Sequence, residues 1–176
     1  MVIFGYCKLK KMDFLAYLDL MIPSVAIAQG FGRIGCFLAG CCYGKETDCF
    51  LGVTFTNSAY APNGVKLLPA QLFMSVGDFL ITAILLVYSR KNPSKGKTSA
   101  LYLMLYSAGR FAVEFTRNDD RGFVGGLSTS QFIGVFTFIL SALVYFVVIP
   151  YRDKKSALKV EAENTVNLET EAVCKE

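Results

Sequence analysis

The chain has 176 residues, of which 53% are hydrophobic and 14% aromatic, with a formal net charge of +4 and no histidine. The charges fall in blocks instead of being spread along the chain, which is the composition of a membrane protein. Without histidine, Ser-His and Cys-His triads are excluded, so acid-base work falls to Glu114, an aspartate, a tyrosine such as Tyr106, or the substrate.

The N-terminus reads MVIFGYCKLKK, an apolar run followed by Lys8, Lys10 and Lys11. A signal peptide has the reverse order, so the run reads as the last turns of a span whose beginning is missing, and the chain is expected to be part of a longer protein. Apolar segments of about 20 residues, long enough to cross a bilayer, run from Phe14 to Ala39, Ala70 to Tyr88, Ser99 to Glu114 and Ser128 to Pro150. They predict an all-α, polytopic transmembrane helix bundle of about four spans over residues 1–151. Residues 152–176 lack apolar periodicity and carry mixed charge, which predicts a disordered tail.

The first span ends in GFGRIGCFLAGCCYG, Gly30 to Gly44, whose opening matches the dinucleotide pattern G-x-G-x-x-G. That pattern is informative only after a strand and before a helix, with an acidic residue beyond the next strand, and none of this context is present. The glycines Gly30, Gly32 and Gly35 are instead expected to allow close approach of another helix or a lipid. Cys36, Cys41, Cys42 and Cys49 cluster here without C-x-x-C spacing. A disulfide, a metal site and small apolar packing residues remain open readings. Cys7 and Cys174 are expected to be free thiols on the opposite side.

An arginine at bilayer depth costs roughly 2.5–3.5 kcal/mol on insertion scales and usually faces a cavity or a partner. Arg33 and Arg110 are of this kind. In YSAGRFAVEFTR, Arg110, Glu114 and Arg117 share one helix face. One reading is local: Arg110 pairs with Glu114, and Arg117 reaches the interface. The other is that Arg33 and Arg110 converge from different helices on one lipid phosphate, whose oxygens guanidinium forks match. Asp19 and Asp78, also within apolar segments, are read as packing or interfacial residues.

Basic residues collect at the start, in RKNPSKGK (Arg90 to Lys97) and after the last span at Arg152, Lys154 and Lys155. The positive-inside rule puts these in the cytoplasm, and the loops Lys45 to Leu68 and Asn118 to Leu127 outside. The C-terminus is then cytoplasmic, and the glycine-rich motif lies at an outer end.

Taken together, GRIGCFLAGCCYG, PAQLF (Pro69 to Phe73), YSAGRFAVEFTRNDDRG and LSTSQF resemble, in order, the C-terminal half of the prolipoprotein diacylglyceryl transferase family. The likeness covers nearly all of residues 12–150. Cys36, Ala39 and Cys41 stand where the usual signature has two asparagines and a glutamate, and the family's histidine-glycine segment would precede this chain. The resemblance implies a multi-pass enzyme of the bacterial plasma membrane, without cofactor or metal and with no nucleic-acid partner. It would transfer the diacylglyceryl group of phosphatidylglycerol to the lipobox cysteine thiol of a prolipoprotein, leaving a thioether and glycerol phosphate. By the same resemblance, Arg33, Arg110 and Glu114 are the catalytic residues, and Gly32, Gly35, Gly44, Gln71, Tyr106 and Arg117 bind substrate. The alternative is a truncated, non-catalytic lipid-binding or scaffold protein of that family. The site is expected between the first and third spans, with both arginines turned into a shared cavity.

Overall fold

The computed structural model describes residues 9–10, 13–91, 93–114, 123–124 and 127–158. Four long helices form a bundle: α1 (Phe14–Ala39), α2 (Ala70–Ser89), α3 (Lys97–Glu114) and α4 (Thr129–Leu143). The last continues as a π-helical stretch, Val144–Val148, and the helical run reaches Leu158, past the tail boundary expected at Arg152. Residues 159–176 lie outside the described residues, as do Cys7, Cys174 and Arg117.

The bounds of α1 and α2 follow the apolar segments closely, because turn residues and charges flank them, whereas the last helical run continues through Arg152 to Lys155. Three of the helical runs, Phe14–Ala39, Ala70–Ser89 and Thr129–Leu158, are long and apolar enough to cross a membrane, so the protein is an integral membrane protein. The fourth, α3, falls short on composition. It begins Lys97-Thr98-Ser99 and carries Arg110 and Glu114, and these polar residues lower its apolar character. Along α4 most large side chains, including Phe132, Ile133, Phe136, Ile139 and Leu143, are exposed, as lipid-facing residues are.

The core lies where α1, α2 and α3 meet: Ala26, Ile81, Leu85 and Tyr102 are buried together, flanked by Ile22, Leu101, Leu105 and Tyr106. α1 packs most extensively on α2, and α3 on α4. Gly30 explains the first pairing. A Cβ there would stand 2.8 Å from Phe79 Cε1, and the Ser75 hydroxyl donates to the Gly30 carbonyl at 2.9 Å. Of Gly30, Gly32 and Gly35 only Gly30 is closely approached; at Gly32 and Gly35 a Cβ would meet nothing within 4 Å. α1 stops at Gly40, whose φ of +68° is the left-handed conformation that closes helices and suits glycine.

Residues 40–69 fold over one end of the bundle through two short antiparallel strands, β1 (Val53–Thr54) and β2 (Lys66–Leu67), with Val53 opposite Leu67. A second hairpin pairs β3 (Phe123–Val124) with β4 (Leu127–Ser128). Neither hairpin was expected from the sequence, since two-residue strands carry no periodicity.

The other end is tied together by polar contacts. Lys95 pairs with Asp13, and Arg152 donates to the Lys95 carbonyl at 2.6 Å. The Asp19 carboxylate, on α1, accepts from Gly96 N at 2.6 Å and from Ser99 N at 2.8 Å, and it also accepts from the Ser99 hydroxyl. An interfacial aspartate thus caps the start of α3 from a different helix. The Tyr88 and Tyr145 hydroxyls meet at 3.0 Å. Replacing Asp19 by alanine leaves the first amides of α3 without this acceptor. The expected cost is about 1–3 kcal/mol, read as a lower midpoint in detergent unfolding followed by helicity.

Candidate functional site

α2 and α3 carry the chemistry-bearing side chains at helical spacing. On α2, Met74 and Asp78 are one turn apart; on α3, Tyr106, Arg110 and Glu114 follow one another at four-residue intervals, so each set lines one face. Where the two faces meet there is a small cavity of about 40 Å³, lined by Phe73, Met74, Gly77, Asp78, Ile81, Tyr106, Gly109, Arg110 and Val113. Gly77 and Gly109 leave it open, since a Cβ at either would meet nothing within 4 Å. The Arg110 guanidinium turns toward α2 and donates to Met74 Sδ at 3.8 Å.

Asp78 is 5% exposed, and its Oδ2 is buried with no hydrogen bond among the described residues. The structure brings Asp78 of α2 and Arg110 of α3 to one cavity, with Arg33 on the adjoining helix α1. The cavity itself differs from the expected one. Its walls are α2 and α3, not α1 and α3, and Arg33 is absent from its lining. The Gly30 contact seats α1 on α2, while α1 meets α3 through Tyr102 and Gln29 and through Asp19 and Ser99.

Tyr106 lines the cavity and stacks on Tyr102, with centroids 5.7 Å apart and planes 24° apart. The Tyr102 hydroxyl in turn donates to Gln29 Oε1 on α1. Glu114 ends α3, half-buried. Arg117, the third residue of that predicted face, lies outside the described residues.

The remaining predicted residues sit away from the cavity. Gln71 is 1% exposed, and its Nε2 donates to the Cys41 carbonyl at 2.7 Å. Gly44 N donates to the Leu68 carbonyl at 2.9 Å, and Leu68 N to Lys45 O at 2.9 Å. These two residues fasten the glycine-rich stretch to the start of α2. Gly32 and Gly35 are on α1 with open space around them. Asp78, read from the sequence as a packing or interfacial residue, lines the cavity beside Arg110. The available signal was an acidic residue alone in an apolar span, which is by itself a reason to look for a function.

Cys36, Cys41, Cys42 and Cys49 are free thiols. The Cys41 thiol donates to the Cys36 carbonyl at 3.5 Å. Burial first, and then the neighbouring Cys36 and Cys42 thiols, push Cys41 up to about 11. The thiolate is the reactive form, so at neutral pH maleimide is expected to label exposed Cys49 well before Cys41. Linkage gives the matching stability effect. With the folded value raised, Cys41 contributes fully below the ordinary thiol range, and the contribution fades as pH rises toward about 11. Alkylation mapped by mass spectrometry across pH checks the order.

A family model described as prolipoprotein diacylglyceryl transferase matches residues 1–147. The phosphatidylglycerol–prolipoprotein diacylglyceryl transferase of Clostridium tetani (strain Massachusetts / E88) is 54% identical over 143 residues, covering 81% of this chain and 57% of the relative. Transferase 2 of that name from Clostridium perfringens (strain 13 / Type A) is 54% identical over 140 residues, covering 79% and 55%. The relative from Dehalococcoides mccartyi (strain ATCC BAA-2266 / KCTC 15142 / 195) is 36% identical over 140 residues, covering 78% and 52%. The chain thus spans about half the length of the curated relatives it matches.

Proposed function

Because the chain belongs to the prolipoprotein diacylglyceryl transferase family, we propose that it transfers the diacylglyceryl group of phosphatidylglycerol to the lipobox cysteine of a prolipoprotein signal peptide. The observation that carries this reading is the cavity between α2 and α3, where the Arg110 guanidinium turns toward Met74 beside the buried Asp78, with Arg33 on the adjoining helix α1. Two guanidiniums in a site shielded from water hold a phosphodiester by charge and by fork geometry.

In the reaction, the cysteine sulfur attacks the glycerol carbon bonded to the phosphate oxygen. The carbon–oxygen bond breaks, its electron pair leaves with glycerol phosphate, and a thioether forms as the thiol gives up its proton. Arg110 and Arg33 take the growing phosphate charge, and stabilisation aimed at developing charge is where catalysis gains most. The same positive field favours the thiolate. Glu114, one turn beyond Arg110, orients that guanidinium or Arg117. Gly32 and Gly35 leave room for lipid beside Arg33. Gln71 and Gly44 hold the loop that covers this end of the bundle, and Tyr106 bounds the headgroup side of the cavity.

The membrane is the bacterial plasma membrane. The end tied by Lys95 and Arg152 faces the cytoplasm with the C-terminus, in line with the positive-inside rule, and the arginines then face the side on which prolipoproteins emerge. The test is transfer of labelled diacylglyceryl from phosphatidylglycerol to a lipobox peptide in proteoliposomes. Thioether product that depends on Arg33 and Arg110 is the expected result. Lipid binding without product from folded, inserted protein would replace the reading with a non-catalytic lipid-binding one.

A further inference from the structure

We propose a second lipid site, at the Lys95 end of the bundle and apart from the arginine cavity. A cleft between α1 and α4 holds one acyl chain of an anionic phospholipid, with the phosphate at Arg152.

The cleft follows from how the helices pair. α1 and α4 both rest on α3 without packing extensively on one another, so a gap of about 290 Å³ is left above α3. Its walls are Leu15 and Leu18 of α1, Leu103 of α3, and Leu140, Val144 and Val148 of the last helical run. Three hydroxyl residues also line it, and all three turn back into the protein. Thr137 Oγ1 donates to the Ile133 carbonyl at 2.8 Å, Ser141 Oγ to the Phe138 carbonyl at 3.0 Å, and Ser99 Oγ to the Asp19 carboxylate. Water finds few partners on such a lining, and hydrocarbon suits it. The rim opens sideways, since Leu140 is 53% and Val148 52% exposed. From Thr137 to Arg152 the cleft runs roughly 20 Å along the helix axis, at about 1.5 Å per residue. The hydrocarbon of one leaflet is about 15 Å deep, so a single chain lying along the helices fits this length.

The mouth names the occupant. Leu15 and Arg152 are shared with a wider, polar hollow of about 640 Å³ that also takes in Asp13, Lys95 and Asp153. Lys95 is paired with Asp13. Arg152 donates from Nη2 to the Lys95 carbonyl at 2.6 Å and forms no salt bridge among the described residues. The remaining donors of its fork suit a phosphate. Lys91, Lys154 and Lys155 belong to the same end, so basic residues outnumber Asp13 and Asp153 there. Basic pockets between spans select anionic headgroups from the adjoining leaflet. The cleft shares no lining residue with the cavity between α2 and α3, so a lipid seated here is a companion of the fold and not the substrate.

The chain contains no tryptophan, so Leu140→Trp on the cleft rim is a sole fluorescent reporter. It is read in liposomes that contain brominated phosphatidylglycerol or brominated phosphatidylcholine, whose chains quench the indole on contact. Quenching is expected to favour phosphatidylglycerol roughly fivefold in relative binding, the effect of about one basic residue beside an anionic lipid. Phe132→Trp, exposed elsewhere on α4, should show no preference. In the Leu140→Trp background, Arg152→Gln should abolish the preference and Arg152→Lys should keep much of it. Lys154→Gln, an exposed neighbour, should leave it in place, as should Arg110→Ala, which tests the other site. Should Leu140→Trp fail to fold, Val148→Trp on the same rim gives the same comparison. Equal quenching by the two lipids overturns the phosphate contact. No quenching by either shows that protein fills the cleft, and equal losses from Arg152→Gln and Lys154→Gln show a diffuse surface charge; both results overturn the site.

Discussion

Arg110→Ala is expected to lower diacylglyceryl transfer by about 10²–10³-fold, the usual loss when a preorganised donor to a developing anion is removed. The fall should appear in turnover more than in the apparent affinity for lipid, because the charge on the leaving phosphate is largest in the transition state. Arg110→Lys keeps a charge but loses the fork that turns toward α2 and the cavity, so it should recover only part of the activity. Arg33→Ala should be deleterious in the same assay. If both side chains hold one phosphate, the double variant should lose much less than the product of the two single losses, since groups acting as a unit are not additive. Full additivity would mean that the two arginines serve separate ligands.

The second large effect concerns the glycines, which the sequence presents as one motif and the structure separates. Gly30→Leu drives a side chain into a place where even a Cβ would lie 2.8 Å from the Phe79 ring, which itself packs edge-on against Phe31 with centroids 5.3 Å apart. Overpacking of this kind costs about 1–3 kcal/mol. Losing the Ser75 hydrogen bond to the Gly30 carbonyl adds about 0.5–1.5 kcal/mol. The α1–α2 pairing should fail first, displacing Arg33 along with α1. Gly35→Ala, in open space, should leave stability within about 1 kcal/mol of the wild type. Unfolding in micelles followed by circular dichroism separates the two. Equal destabilisation would show that Gly35 is closely packed after all.

The legibility of the sequence divides along the same line. Helix positions were readable because apolar runs ended by charges and turn residues are local signals, and the bounds at Phe14, Ala39 and Ala70 follow from them. Arg33 and Arg110 were readable because an ionised group in an apolar span has few innocent explanations. What could not be read was which helices touch. Nothing in GFGRIG says that Gly30 alone meets a neighbour, or that this neighbour is Phe79, and so the cavity was expected between the wrong pair of helices. Asp78 shows the same limit, since its sharing a cavity with Tyr106 and Arg110 is a matter of long sequence separation. Gln71 is a subtler case: its placement in PAQLF marked it as a site residue, while its amide holds the Cys41 carbonyl and thereby the shape of the loop.

The polar ties at the Lys95 end have a mechanical consequence. Asp13 with Lys95, Arg152 with the Lys95 carbonyl, Asp19 with the first turn of α3, and Tyr88 with Tyr145 all lie at that end. Helices fastened at one end behave like the arms of tweezers: a small angular change at the grip becomes a displacement of several ångströms at the tips. The arginines sit near the tips. α2 and α3 could then part at their far ends while the grip keeps its hydrogen bonds, and the bundle would reclose to the same register after each excursion.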